Sequence, residues 1–394
     1  DDCQSAVIRN KFLFTDLSEY DCVVTVEKEG RLVQSRKLKI QLQPLGDTKI
    51  GLQTDRQTVP GEYTVTVSFR LMQDTLWAAA GHEIAFGQGT YKVEGEKNTA
   101  EDACGRITVT HGRLSLGVRG DSFETVFSYI SGGPVSYRYA GREMLSTMPL
   151  PNFWRAPTDN DRGNQMPQRY AQWKTASQYL TNRNADNTVI PPAIKEGRNE
   201  VKITFTYRMP TVPESHCTVT YTVSGNGRID VRLSYDVVRE LGDMPEFGMI
   251  FRLDADYDRM RWYGLGPQET YSDRIQGAKL GVYSSSAADS MAQYLRPQEC
   301  GNKSGVRWAE VTDANERGLV FRGDAMNVSV LPYSPYQLEC ADHPYELPPV
   351  NYTFVRVALG QMGVGGDDTW GARTHDEFLL RPHGSRMKFE FSFF

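Results

Sequence analysis

The sequence lacks the features that would mark a metal centre, a membrane span or a nucleic-acid surface. Its six cysteines (Cys3, Cys22, Cys104, Cys217, Cys300, Cys340) show no CxxC spacing, which argues against a zinc site and says little about disulfides or compartment. The six histidines are isolated from one another, and a lone histidine in a β protein is usually structural or at the surface. No His-Glu-x-x-His, Gly-x-Ser-x-Gly, P-loop or dinucleotide fingerprint occurs. Apolar stretches such as Leu76–Ala80 are far too short to span a bilayer. With 44 basic against 49 acidic residues, a net charge of −5 and no long like-charge block, the chain offers nucleic acid no footprint. It opens Asp1-Asp2-Cys3, without an initiating methionine or a signal segment, and so reads as a piece of something longer.

What is present is strand after strand. At 394 residues, 39% hydrophobic and 24% charged, the chain is long enough for two or three domains with cores of their own. Cys22, Val24 and Val26 share a face before the turn Lys28-Glu29-Gly30, and Leu32, Leu38 and Ile40 resume the pattern, which predicts a hairpin. Tyr63, Val65, Val67 and Phe69 alternate with Thr64, Thr66, Ser68 and Arg70, the mark of a half-buried antiparallel strand. Another strand lies within Gly81–Val93. Short strands at this spacing predict an immunoglobulin-like β-sandwich over residues 1–97. The polar, turn-rich segment from Gly95 to Gly105 is the expected boundary. Beyond it, alternating runs from Ile107 to Val118, Val201 to Tyr207, Val219 to Val223, Ile229 to Tyr235 and Met387 to Phe393 predict one large β-sandwich over 105–394. Tyr170–Leu180 reads either as a short helix or as an irregular excursion. The expected fold class is therefore all-β.

Four loops interrupt this scaffold. Gln361–Trp370 (QMGVGGDDTW) sets three glycines before Asp367, Asp368, Thr369 and Trp370. Glycine permits positive φ and close backbone approach, and the aspartates can hold a turn through side-chain hydrogen bonds. A tryptophan on such a loop suits stacking against the apolar face of a sugar; the plain alternative is a tight turn whose indole plugs the local core. Leu150–Gly163 (LPNFWRAPTDNDRG) contains Asp159-Asn160-Asp161, which lacks the glycine and glutamate of an EF-hand and reads as a polar turn. In Trp262–Arg274 (WYGLGPQETYSDR) a strand is expected to break at Gly264 and Gly266-Pro267, presenting Gln268, Glu269, Asp273 and Arg274. Tyr294–Trp308 (YLRPQECGNKSGVRW) is the fourth. Four long polar-aromatic loops favour a shared surface, although the sequence alone does not bring them together. A glycosidase needs two carboxylates with pKa values pushed apart, and none here sits in a pattern separating an acid from a nucleophile. The residues alone describe a non-catalytic partner of a catalytic domain.

Asn152-Phe153-Trp154-Arg155-Ala156-Pro157-Thr158-Asp159-Asn160-Asp161, then Gly264-Leu265-Gly266-Pro267-Gln268-Glu269 with Tyr271-Ser272-Asp273-Arg274, then Met362 to Trp370, closely resemble the C-terminal region of the large bacterial β-galactosidases of glycoside hydrolase family two. The resemblance covers the whole chain. It implies a post-barrel immunoglobulin-like domain followed by a galactose-mutarotase-like β-supersandwich, with the catalytic barrel, its glutamate pair and most metal ligands absent. No catalytic residue carries over, and Mg and Na are expected only in the missing catalytic domain. What carries over is Trp370 as the substrate-stacking residue, with Asp367 and Asp368 holding it on the turn of Gly365 and Gly366. Gly163 is implied as a hinge, and Arg155, Asp159 and Asp161 as supports of its loop. Arg162 stands where an aliphatic residue is common. The implied partners are a β-galactoside and the barrel of the same polypeptide, in a soluble bacterial enzyme of cytoplasm or periplasm, with a homo-oligomeric parent left open. Two rivals stand beside this reading. A stand-alone sugar-binding or mutarotase-like module would need a converging His and Glu for proton transfer. A structural or oligomerisation domain would need no sugar at all.

Overall fold

The computed structural model describes residues 3–95, 105–368 and 370–394. The opening Asp1-Asp2, the centre of the expected boundary with Cys104, and Thr369 lie outside the described residues. The chain divides into two compact units, one of Asp1–Asn98 with Lys279–Val282, the other of Thr99–Ala278 with Tyr283–Phe394.

In the first unit, strands β1 (Ser5–Arg9), β2 (Tyr20–Lys28), β3 (Arg31–Leu38), β4 (Asp47–Gly51), β5 (Gly61–Leu71) and β6 (Glu83–Val93) form a four-stranded sheet, β3-β2-β5-β6, and a two-stranded sheet, β1-β4. Cys22, Val24 and Val26 meet Tyr63, Val65 and Val67 in the core, because period-two alternation sends them to one face. Two expectations are corrected. Leu32 is exposed, since the register slips between Val26 and Glu27 and β3 is an edge strand. β5 is buried on both faces, because its hydroxyls are covered by side chains of β6: Gln88 donates to Thr66 Oγ1 at 3.0 Å and Ser68 Oγ donates to Glu83.

The second unit begins with a five-stranded meander of β7 (Thr108–His111), β8 (Ser115–Arg119), β9 (Phe123–Ser128), β10 (Gly133–Tyr139) and β11 (Arg142–Glu143). Next come β12 (Thr147–Asn152) and three short helices, α1 (Asp159–Gly163), α2 (Met166–Arg169) and α3 (Ala171–Tyr179), the last resolving the ambiguous Tyr170–Leu180 as helix. Then follow β13 (Ala193–Glu196), β14 (Glu200–Met209), β15 (Ser215–Ser224), β16 (Ile229–Asp236), β17 (Glu246–Asp254), β18 (Arg259–Gly266), β19 (Lys279–Ser286), β20 (Lys303–Thr312), β21 (Gly318–Leu331), helix α4 (Pro335–Cys340), β22 (Tyr352–Gln361) and β23 (Arg386–Phe393). The main path of the large antiparallel sheet is β12-β17-β22-β21-β23-β16-β15-β14-β13, with β20 pairing β21 and β18. One continuous core runs beneath it, from Leu116 to Phe393. β18 continues through Gly264 instead of breaking there; a Cβ at that position would lie 2.8 Å from Val306 of the paired strand β20. The chain leaves the strand only at the cis Gly266-Pro267 bond.

Register explains what gathers at one end of this sheet. Asn152 near the end of β12 pairs with Gly248, and Glu246 at the start of β17 pairs with Gln361 at the end of β22. Asn327 pairs with Ala358, Val328 with Lys303 at the start of β20, and Trp308 with Tyr263 towards the end of β18. The exits of β12, β18 and β22 and the entry to β20 therefore share one end of the sheet, and these are the four loops singled out above.

Candidate functional site

Those four loops enclose a cleft of about 270 Å³. Thr158, Asp159 and Asn160 line it from the first, Tyr271 and Arg274 from the second, Tyr294, Gln298 and Glu299 from the third, Val364 and Gly365 from the fourth. Eight of these ten residues carry polar side-chain atoms, so the cleft suits a ligand rich in hydrogen-bonding groups.

Beside it runs the loop that carries Trp370, and its base is clamped from two sides. The buried Arg155 donates to the carbonyls of Met362 and Gly363 at 2.8 and 2.9 Å and forms a two-oxygen pair with Asp161 at 3.0 Å. Asp273 accepts the Gly365 N–H at 2.7 Å. Thr374 Oγ1 donates to the Gly363 and Gly365 carbonyls. The glycines serve close approach and not positive φ, contrary to one of the two roles expected of them. None of Gly363, Gly365 and Gly366 is left-handed; a Cβ on Gly363 would lie 2.6 Å from the Asp273 carboxylate, and one on Gly366 would lie 2.8 Å from the Ala372 carbonyl.

Past the glycines, Asp368 Oδ1 accepts the backbone N–H groups of Trp370, Gly371 and Ala372 at 2.9, 3.1 and 3.0 Å. These three donors hold its pKa below the usual carboxylate value. Asp367 pairs with His375, 2.9 Å away. The indole is 88% exposed, so the plain alternative of a core plug is excluded for Trp370. A large apolar ring held out in water by a hydrogen-bonded turn is available to a flat partner.

The first loop is a capped helix start, not a free polar turn. Thr158 Oγ1 accepts the Asp161 N–H and Asp161 accepts the Thr158 N–H, a capping box opening α1. Asp161 thus caps the helix and pairs Arg155 at once, while the exposed Asp159 accepts from Gln298 at 3.0 Å across the cleft. Gly163 closes α1, and its carbonyl lies 3.8 Å from where a Cβ of Gly371 would stand. Arg162 is desolvated and close to Arg296, which lowers its pKa; the ends of its guanidinium have no hydrogen-bond partner.

Beneath the cleft lies a charged network that pattern reading passed over. Arg356 of β22 donates to Glu246 at 2.8 Å and to Glu299. Asn152 donates to the other oxygen of Glu246, and Gln361 donates to Glu299 and to Asn302 at 3.4 Å. Burial pushes the Glu246 carboxyl up to about 7, against the pull of Arg356 and with the push of Glu299. A signal did exist: Arg356 is the lone charge in the apolar strand FVRVALG, and a buried charge requires partners.

Among the described residues no group of three or more His, Cys, Asp or Glu side chains could hold a metal ion. No described helix is long and apolar enough to cross a membrane. The five described cysteines are free thiols.

Comparison with known proteins fits this arrangement into a family. Residues 119–393 match the family described as Beta galactosidase small chain, and residues 6–91 match Beta-galactosidase, domain 4. The chain belongs to the β-galactosidase small chain family. The β-galactosidase of Halalkalibacterium halodurans is 38% identical over 387 residues, covering 96% of this chain and 37% of that protein. The β-galactosidase of Priestia megaterium is 37% identical over 377 residues, covering 95% and 36%. The chain thus spans little more than a third of these relatives. The β-galactosidase small subunit of Latilactobacillus sakei is 34% identical over 314 residues, covering 73% of this chain and 98% of that subunit. Among solved structures, the galactose 1-epimerase of Lactobacillus acidophilus overlaps 74% of this chain and 98% of its own with a TM-score of 0.37 at 8% identity, a likeness too low to bear on function.

Proposed function

We propose that this chain is the C-terminal, non-catalytic portion of a retaining β-galactosidase, and that Trp370 forms a sugar-stacking wall of an active site whose glutamate pair resides in the catalytic part of the polypeptide. Family membership supports the β-galactosidase assignment. The observation that carries the role of Trp370 is its exposure on a turn whose backbone is fixed by Asp368, above a base clamped by Arg155 and Asp273. An indole immobilised in advance loses little freedom on binding, so more of its contact energy reaches the ligand. Gly365 and Gly366 shape that turn, Asp367 steadies it through His375, Asp159 and Asp161 steady the neighbouring helix start, and Gly163 at its end is the hinge of that loop. The substrate is a β-galactoside, the partner is the catalytic barrel, and Mg and Na belong with that barrel.

In the full-length enzyme, Trp370→Ala should raise KM for disaccharides by an amount worth ~1 to 3 kcal/mol, the order expected for one lost aromatic contact, with a smaller change in kcat. An unchanged KM across several disaccharides would remove the stacking role. The 394-residue chain alone should leave a chromogenic galactoside intact; turnover abolished by a local substitution would show that it holds a catalytic pair of its own.

A further inference from the structure

The first unit presents a strand edge beside an apolar cleft. At the two ends of β1, Asn10 donates to Gly46 and Leu52, just past β4, donates to Gln4, both at 2.9 Å, with Ile8 opposite Thr48 and Ala6 opposite Ile50 between them. Antiparallel pairing alternates, so Gln4, Ala6, Ile8 and Asn10 spend their backbone groups on β4, while Ser5, Val7 and Arg9 turn theirs to the opposite edge. Among the described residues that edge has no strand partner, because β1 and β4 form a sheet of two. Alongside opens a cleft of about 620 Å³, lined by β1, β5 and β6 residues that include Ala6, Ile8, Val67, Phe69, Ile84 and Phe86. Val7 is 69% exposed at the rim.

A row of outward N–H and C=O groups repeating every second residue, with apolar sockets beside it, has the chemistry of strand addition: the main chain pairs and alternate side chains fill the sockets. An acyl chain or other small apolar molecule would fill the cleft and leave the backbone edge unmatched. We propose that the β1 edge receives an extended strand, apolar at alternate positions, from the part of the longer β-galactosidase chains that this sequence does not span. Those relatives have nearly two thirds of their length outside the matched region, so a donor segment is at hand. The inference rests on family membership and on the geometry of this unit, and not on the role given to Trp370.

The test uses the 394-residue chain and overlapping short peptides tiling the remainder of the Halalkalibacterium halodurans β-galactosidase. One peptide with apolar residues at alternate positions should slow amide exchange at Val7 and Arg9 by about tenfold or more and displace a fluorescent apolar dye from the cleft. Val7→Pro removes one outward N–H without touching the β4 pairing and should abolish that protection. Val7→Lys, which keeps the backbone and sets a charge at the rim, should weaken it and serves should the proline variant fail to fold. Three results would overturn the proposal: no peptide protects these amides; a fatty acid displaces the dye while the amides exchange unchanged; or the edge is already protected by self-association that Val7→Lys dissolves.

Discussion

Asp273 accepts the Gly365 N–H and its carboxyl fills the space that any side chain at Gly363 would need, so the two residues fix the loop base together. Asp273→Ala should raise the exchange rate of the Gly365 amide by an amount corresponding to one hydrogen bond, about 0.5 to 1.5 kcal/mol, whereas Asp273→Asn keeps an acceptor and should stay close to the parent. Equal exchange in the alanine variant would show that Arg155 and Thr374 suffice. Asp368 adds a pH dependence. Its folded pKa is depressed, so the bracing it provides is complete above the unfolded carboxylate value of 3.8 and is lost only as pH falls through the lower folded value. Trp370 emission and anisotropy should therefore be flat from neutral pH down to about 5 and change only in stronger acid. A change between neutral pH and about 5 would show that Asp368 is not the group that fixes the turn. At this scale the sequence exposed Trp370 and its glycines, because glycine runs ending in an aromatic are conspicuous. It gave the wrong account of the glycines in part, since φ and close approach leave the same trace in a sequence.

Strands carry these residues to one place, and the charged network is where the elements lock. Glu246 opens β17, Arg356 lies within β22, and Glu299 precedes β20, so Arg356 ties three approaches to the cleft together. Glu246 has a folded pKa of about 7 against an ordinary 4.5, chiefly because burial disfavours its charge. The folded state then holds a proton that the unfolded state has released, so this contribution is full below about 4.5, declines as pH rises to about 7, and is level beyond. Relative to Glu246→Gln, which cannot ionise, the parent should lose stability by on the order of a few kcal/mol across that window. Chemical unfolding at pH 4.5, 6 and 8 measures it. A difference constant with pH would show that Glu246 titrates alike in the folded and unfolded states. Alternation made β14, β15, β16 and β23 plain, because each sends every second residue into the core. It misjudged β5, whose polar face is covered by β6 side chains, and β18, whose Gly264 is demanded by Val306, since a covering neighbour distant in sequence leaves no local pattern.

At the scale of the molecule, the convergence of the four loops was the step that residues could not supply. It depends on the order β12-β17-β22-β21 and on which strand ends meet, and both are set by pairings that include residues more than a hundred positions apart, such as Glu246 with Gln361. The same topology gives the second unit a core of its own. Its core is one connected cluster running from Leu116 to Phe393, closed by β23, which pairs β16 and β21 and so joins the C-terminal segment to two distant parts of the sheet. Residues 105–394 produced alone should therefore unfold in one cooperative transition, with near-ultraviolet circular dichroism from buried rings such as Trp154, Trp173 and Trp262. Removing β23 should abolish that transition, because it strips Phe389, Phe391 and Phe393 from the core and leaves β16 and β21 with open edges. A fragment of 105–394 that binds apolar dye and melts without cooperativity would mean that the core, though continuous, needs residues before 105 to close.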